Sequence, residues 1–217
     1  MQGKFISFEG PDGAGKTSVL KEISSKLSAQ LGAKLMVTRE PGGNAISESI
    51  RRIILDKANT QMDARTEALL YAAARRQHLV EQIIPALKAG RVVLCDRYVD
   101  SSLAYQGAGR EIGAEAVWQM NQFATDGLEP ALTIYLDIEP ELGIQRIKQH
   151  RQNEINRLDV EQLAFHQRVR TEYLELLHQY PDRIKLIDAS RPFDDVVTAV
   201  QQAITQTYPD LFQLNEE

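Results

Sequence analysis

The sequence predicts an α/β fold, a parallel sheet with helices packed on its faces. Three observations carry this. Short apolar, β-prone runs alternate along the chain with stretches of helical periodicity. Two of the runs, Val92-Val93-Leu94-Cys95 and Leu132-Thr133-Ile134-Tyr135-Leu136, are continuous, as strands covered on both faces are. A glycine-rich loop, Gly10-Pro11-Asp12-Gly13-Ala14-Gly15-Lys16-Thr17, joins the first run to the first helical stretch.

In chain order, Lys4-Phe5-Ile6-Ser7-Phe8 places a strand at 3–8. Val19, Leu20, Ile23, Leu27 and Leu31 repeat at helical spacing and place a helix at 16–31. The same reading gives strands at 34–38, 91–95, 131–137 and 183–188, and helices at 45–56, 64–89, 114–126, 139–149, 160–180 and 193–206. Strand–helix alternation of this kind implies right-handed crossovers between parallel strands. No repeat, low-complexity tract or Pro/Gly linker interrupts it, so 1–217 reads as one domain, with the acidic, aperiodic Tyr208–Glu217 as a frayed tail.

The composition, 43% hydrophobic and 25% charged, is that of an ordinary soluble protein. A net charge of −5 argues against a broad nucleic-acid surface. The single cysteine, Cys95, excludes an intrachain disulfide and any multi-cysteine metal site. With no signal-peptide pattern and no apolar run of membrane-span length, the expectation is a cytoplasmic enzyme with neither nucleic acid nor membrane as partner.

The glycine-rich loop matches G-x-x-x-x-G-K-[ST] in the strand–loop–helix context that phosphate binding requires. Its glycines let backbone N–H groups turn onto an anion, and the helix N-terminus adds positive dipole. Lys16 is expected to reach the β- and γ-phosphates of a nucleotide, and Thr17 to offer its hydroxyl to Mg²⁺. Asp96, after four buried-strand residues, sits where a second Mg²⁺-organising carboxylate belongs. The next residue is Arg97, which stabilises charge but cannot act as a base, so transfer to a bound acceptor is favoured over hydrolysis.

Arg39, Arg51, Arg75 and Arg97 follow or pack around the strand ends, as a phosphorylated acceptor needs. Arg146, Lys148, Arg151 and Arg157 surround a polar stretch between two helices, which reads either as a lid closing over the nucleotide or as a solvated face. Asp12, inside the loop, would repel phosphate if turned inward. Turned outward it would take an acceptor's sugar hydroxyl or approach the metal, and it also reads as a plain turn residue. Ser102 and Gln106 share a helical face suited to the polar edge of a base, and Tyr71 shares one with Arg75. Tyr71 also reads as core. Trp118 and Phe123 read as core or interface, and the four histidines have no metal-ligand spacing.

Phe8–Thr17, Thr38-Arg39-Glu40-Pro41-Gly42-Gly43, Asp96-Arg97-Tyr98-Val99-Asp100-Ser101-Ser102-Leu103-Ala104-Tyr105-Gln106-Gly107 and Asn156-Arg157-Leu158-Asp159 resemble, in order, the motifs of bacterial thymidylate kinases, within the P-loop nucleoside monophosphate kinases. The resemblance spans about residues 3–206. It implies a P-loop NTPase fold, a five-stranded parallel sheet ringed by helices with a short lid at about 146–158. It also implies transfer of the γ-phosphoryl of ATP to dTMP with Mg²⁺, in a two-fold homodimer built through helices such as 64–89 and 114–126. The implied ATP site is Gly10–Thr17, and the implied metal residues are Thr17 and Asp96. On the dTMP side, Asp12 lies near the 3′-hydroxyl, Arg39, Arg51 and Arg97 lie around the phosphate, Arg75 and Gln106 contact thymine with Ser102 close by, and the aromatic at 71 stacks on it. Tyr71 stands where the family pattern leads one to expect Phe. Because the phosphate loop carries Gly13 and no arginine, Arg146 and Arg157 of the lid become the candidates for catalytic cation beside Lys16, Arg39 and Arg97.

Three other classes compete. A deoxynucleoside kinase would want a carboxylate base near the acceptor's 5′-oxygen. A GTP-dependent switch would need an N-K-x-D motif, which is absent. A non-catalytic nucleotide-binding module would not need both Asp96-Arg97 and an arginine-rich lid.

Overall fold

Five strands, β1 (Lys4–Glu9), β2 (Leu35–Arg39), β3 (Val92–Asp96), β4 (Leu132–Asp137) and β5 (Ile184–Asp188), form one sheet in the order β2-β3-β1-β4-β5. Every pairing is parallel. The computed structural model describes residues 3–150 and 161–212. The helices are α1 (Lys16–Leu31), α2 (Ala45–Leu55), α3 (Ala64–His78), α4 (Ile84–Lys88), α5 (Val99–Ser102), α6 (Ala114–Thr125), α7 (Pro140–His150), α8 (Leu163–Gln179) and α9 (Phe193–Thr207).

Strand alternation divides the interior into two cores. Ile6, Phe8, Leu94, Ile134 and Leu136 face α1 and α9, where Val19, Ile23, Leu27, Val200 and Ile204 meet them. Phe5, Val93, Cys95 and Tyr135 point the other way, onto Leu79, Ile83, Tyr105, Val169, Tyr173 and Leu176. β3 is buried throughout, whereas the edge strands β2 and β5 are only partly covered. That contrast is why β3 and β4 read as continuous apolar runs.

β1, β2 and β3 each end one residue later than the apolar pattern suggests, taking in Glu9, Arg39 and Asp96, while β4 and β5 close on Asp137 and Asp188 as expected. The ladder runs on through these polar residues, pairing Phe8 with Asp96 and Arg39 with Asp96. The helix expected at 64–89 is α3 and α4 joined by a π-helical turn at Leu79–Ile83. An unexpected helical segment, α5 with the π-helical Leu103–Gly109, follows β3. It is buried on nearly every side, so it has no polar face to create periodicity.

The frayed tail needs correction for its first part. Leu211 is 2% exposed in the α1/α9 core, with Tyr208 and Phe212 packed against it. Lys4 pairs with Asp210 at 2.8 Å and the Gln30 side chain bonds the backbone of Asp210 and Phe212. Residues 213–217 lie outside the described residues. Among the described residues, no helix is long and apolar enough to cross a membrane. Trp118 packs partly buried against the second core, whereas Phe123 is 92% exposed and is not core.

Candidate active site

A cleft of about 760 Å³ opens at the carboxyl ends of β1, β2 and β3, where parallel α/β sheets place their ligands. Asp12, Gly13, Gly15, Lys16, Thr17, Arg39, Arg51, Tyr71, Arg75, Asp96, Arg97, Ser102, Gln106 and Arg146 all line it. Residues spread over 135 positions of sequence are thus gathered by the ends of β1, β2 and β3 and by α1, α2, α3, α5 and α7. Gly10, Pro11 and Ala14 shape the loop from behind, Ala14 being buried in the α1/α9 core.

One end of the cleft is built for phosphates. Gly15 starts α1 with φ 84 and no side chain caps the helix. A left-handed residue is cheap only as glycine, and the uncapped first-turn N–H groups remain available to an anion. Lys16 Nζ donates to the carbonyls of Gly10 and Pro11, both at 2.8 Å. Burial, with the neighbouring Arg97 charge, lowers its pKa to about 8. The Thr17 hydroxyl donates to Asp96 Oδ2 at 2.8 Å, so the two expected metal residues are neighbours. Their hard oxygens suit Mg²⁺.

Arg97 dominates the other end. Its φ is 72, a conformation that costs an L-residue about 1–2 kcal/mol. Nη2 donates to Asp12 Oδ1 at 2.6 Å and to the Tyr105 hydroxyl at 3.2 Å, and Nη1 to Ser101 Oγ at 3.1 Å. The guanidinium stacks over the Tyr105 ring, 4.8 Å from its centroid. Asp12 also accepts from Tyr105 at 2.7 Å. Burial alone would raise the Asp12 pKa, but the charges of Arg97 and Lys16 and the Tyr105 bond hold it near 2. Asp12 is therefore turned out of the phosphate loop as a fixed anion, which is more than a turn residue requires.

Arg39 is exposed and pairs with Glu48 at 2.9 Å, and Arg51 donates to Pro41 O at 2.9 Å. Burial and the adjacent Arg39 lower the Arg51 pKa. These two cations keep donors free for a ligand anion. Arg75 does not. Its Nε meets Glu40 at 2.6 Å, Nη1 meets Ser102 at 3.0 Å and also Asn121, and Nη2 meets Tyr98 O at 2.9 Å. Four of its five N–H groups are thus committed, which fixes Arg75 as part of the cleft wall. Gln106 is fixed beside it by donating to Glu67 at 2.8 Å.

Arg146 reaches the cleft from α7 and donates to Ala189 O at 2.9 Å. Arg157, Arg151 and the Asn156–Asp159 motif lie outside the described residues, as does most of the expected lid. The residues that hold these groups were given no role by the sequence: Glu9, Glu40 and Tyr105, which stand within the quoted motifs, and Glu48, Glu67 and Asn121, which do not. One signal was present. Glu67, Tyr71, Arg75 and His78 recur at helical spacing on α3, and a polar stripe facing inward marks a site. Three of the four, Glu67, Arg75 and His78, are buried. His78 bonds Thr38 at 2.7 Å and Glu40 at 3.1 Å.

Residues 8–200 match the sequence profile of a family described as thymidylate kinase. The chain is 63% identical over 213 residues to the thymidylate kinase of Limosilactobacillus reuteri, covering 98% of this chain and all of that one. To the thymidylate kinase of Enterococcus faecalis it is 60% identical over 212 residues, again covering 98% and 100%. The crystal structure of thymidylate kinase from Ehrlichia chaffeensis superposes with a TM-score of 0.77 at 30% identity, over 94% of this chain and 99% of that one.

Proposed function

The chain belongs to the thymidylate kinase family, and we propose how its cleft performs that reaction: transfer of the γ-phosphoryl of ATP to dTMP, giving dTDP and ADP. The observation that carries the reading is the division of one cleft into a glycine-loop end and an arginine end, with Asp12 and Arg97 between them.

The loop N–H groups and Lys16 bind the phosphates of ATP. Thr17 and Asp96 would hold Mg²⁺, which would neutralise charge on the phosphate oxygens. Arg39, Arg51 and Arg97 bind the dTMP phosphate and aim one oxygen at the γ-phosphorus. That oxygen forms the new P–O bond as the bond to the β–γ bridging oxygen breaks, and ADP leaves. The attacking phosphate is already anionic, so no general base is required, and positioning and charge stabilisation do the catalysis. Asp12 accepts from the sugar 3′-hydroxyl. Tyr71 stacks on thymine, while Arg75, Ser102 and Gln106 form the wall beside it. Arg146, and Arg157 from the lid, supply the cation that the phosphate loop lacks.

The exposed side chains Leu69 and Val80 lie on the α3–α4 run and Phe123 on α6, which packs against α3. That face is the contact of a two-fold homodimer. Nucleotide substrates and a lone buried thiol, Cys95, suit a cytoplasmic enzyme. A deoxynucleoside kinase fits less well. Of the carboxylates that line the cleft, Glu40 is held by Arg75 and His78, Asp96 accepts from Thr17, and Asp12, at a pKa near 2 and paired with Arg97, is a poor base.

The test is ADP release with ATP, Mg²⁺ and each of dTMP, dUMP, dCMP, AMP, GMP and thymidine. Release that depends strongly on dTMP, with dUMP weaker, is expected. Turnover of thymidine but not dTMP would overturn the arginine argument, and release without any acceptor would mean hydrolysis.

A further inference from the structure

Glu9 is a fully buried carboxylate that does not line the cleft and has no part in the transfer itself. Its bonds nevertheless all lead to one residue. The turn at Arg97 is pinned by two successive N–H groups: that of Arg97 donates to Phe8 O at 2.9 Å, and that of Tyr98 donates to Glu9 Oε1 at 2.6 Å. The left-handed conformation of Arg97, φ 72, is thus clamped against consecutive residues of β1. Glu9 Oε2 receives the hydroxyls of Ser101 and of Tyr173, the latter at 3.0 Å. The two hydroxyls also lie 2.9 Å from each other, and both accept from Arg97 Nη1, 3.1 Å from Ser101 and 3.5 Å from Tyr173. With Nη1 so placed, Nη2 lies against Asp12 and Tyr105.

We propose that Glu9 is the positioning residue for Arg97, setting both its left-handed backbone and the aim of its guanidinium into the acceptor end of the cleft. The inference rests on the reading of Arg97 as a ligand of the acceptor phosphate. Burial is what makes the arrangement directive, since no water competes for these groups and a satisfied buried network holds its members rigidly.

Two substitutions test it. Glu9→Gln keeps the shape and a carbonyl for the Tyr98 N–H, but presents an NH₂ group where Ser101 and Tyr173 now donate. Ser101→Ala deletes one link and leaves Glu9 in place. kcat and KM for ATP and for dTMP are measured for each, alone and combined with Arg97→Ala. Alone, each is expected to lower kcat about tenfold and to leave the KM for ATP within twofold. Beside Arg97→Ala, each is expected to cost less than a further twofold, because its route of action is gone. Losses that multiply in the Arg97→Ala background, or single variants within twofold of wild-type kcat, overturn the proposal. Full turnover by Arg97→Ala alone is a separate result: it removes the reading of Arg97, and this inference with it. If Glu9→Gln does not fold, Ser101→Ala carries the same comparison.

Discussion

Gly13 and Gly143 meet backbone to backbone. A Cβ on Gly13 would lie 2.2 Å from the Gly143 carbonyl oxygen, and one on Gly143 would lie 2.6 Å from the carbonyl oxygen of Asp12. The phosphate loop and α7 are thus docked at a distance that only two glycines permit. Arg146 stands one turn beyond Gly143 on α7 and lines the cleft. The space a side chain at position 13 would occupy is filled by the helix that brings Arg146 to the cleft.

Gly143→Ala tests that docking. In an exposed helix interior such a change stabilises by about 0.5–1 kcal/mol. Here the methyl meets the Asp12 carbonyl oxygen at 2.6 Å, and α7 must move. The expected outcome is a lower melting temperature and a raised KM for ATP, with the KM for dTMP little changed. A variant more stable than wild type with unaltered ATP kinetics would show that the contact does not matter.

Arg97→Ala is expected to lower kcat on the order of 10³-fold, the scale of an arginine acting on a transferring phosphoryl group. Arg97→Lys should recover little of it, because an ammonium keeps the charge but loses the fork that spans Asp12 and Ser101. Circular dichroism and a thermal melt establish that each variant is folded. Near wild-type turnover in a folded Arg97→Ala protein would contradict its role.

The alternation of apolar runs made the sheet legible; the motifs named Lys16, Arg39 and Arg97, and the grouping of arginines around the strand ends and lid added Arg51, Arg75 and Arg146. What stayed hidden was buried polarity. Glu9, Glu40 and Glu67 interrupt no apolar pattern strongly enough to announce themselves, and each matters only through a partner 35 or more positions away: Ser101 for Glu9, Arg75 for Glu40, Gln106 for Glu67. Spacing along one helix cannot reveal such pairs. The segment Val99–Gly109 was missed because a helix buried all round has no moment to detect. The terminal residues misled in the opposite sense, since Leu211 is one apolar residue in a polar stretch and yet enters the core.

Tyr71 separates stacking from hydrogen bonding. Among the described residues its hydroxyl has no hydrogen-bond partner, while its ring packs at the edge of the second core and lines the cleft. Burial, with the charge of Glu67, pushes its pKa up, so it is neutral in use. Tyr71→Phe should therefore leave the KM for dTMP within about threefold. Tyr71→Ala should raise it about tenfold or more, from the loss of about 1–3 kcal/mol of base stacking. Isothermal titration with dTMP checks both, and a large penalty for Tyr71→Phe would assign the hydroxyl a contact with the base.

Glu9 also fixes a pH dependence. Burial, reinforced by the charge of Asp100, raises its pKa from 4.5 to about 7 against the opposing pull of its hydrogen bonds and Arg97. Between those two values the folded chain keeps a proton that the unfolded chain has released, so the unfolded state binds fewer protons and stability falls as pH rises. The contribution is full below pH 4.5 and gone above pH 7. Asp12 acts with the opposite sign in a different window: its carboxylate, lowered from 3.8 to about 2, adds stability that is lost as pH falls through that range. Comparing wild type with Glu9→Gln isolates the first effect, because the amide does not titrate and every other group is shared. Urea denaturation at pH 5, 6, 7 and 8 should show the stability of Glu9→Gln, relative to wild type, rising with pH and levelling near pH 8. A difference that stays flat across the series would mean that Glu9 titrates at an ordinary carboxylate pKa in the folded chain, and that its environment does not resist ionisation as its burial implies.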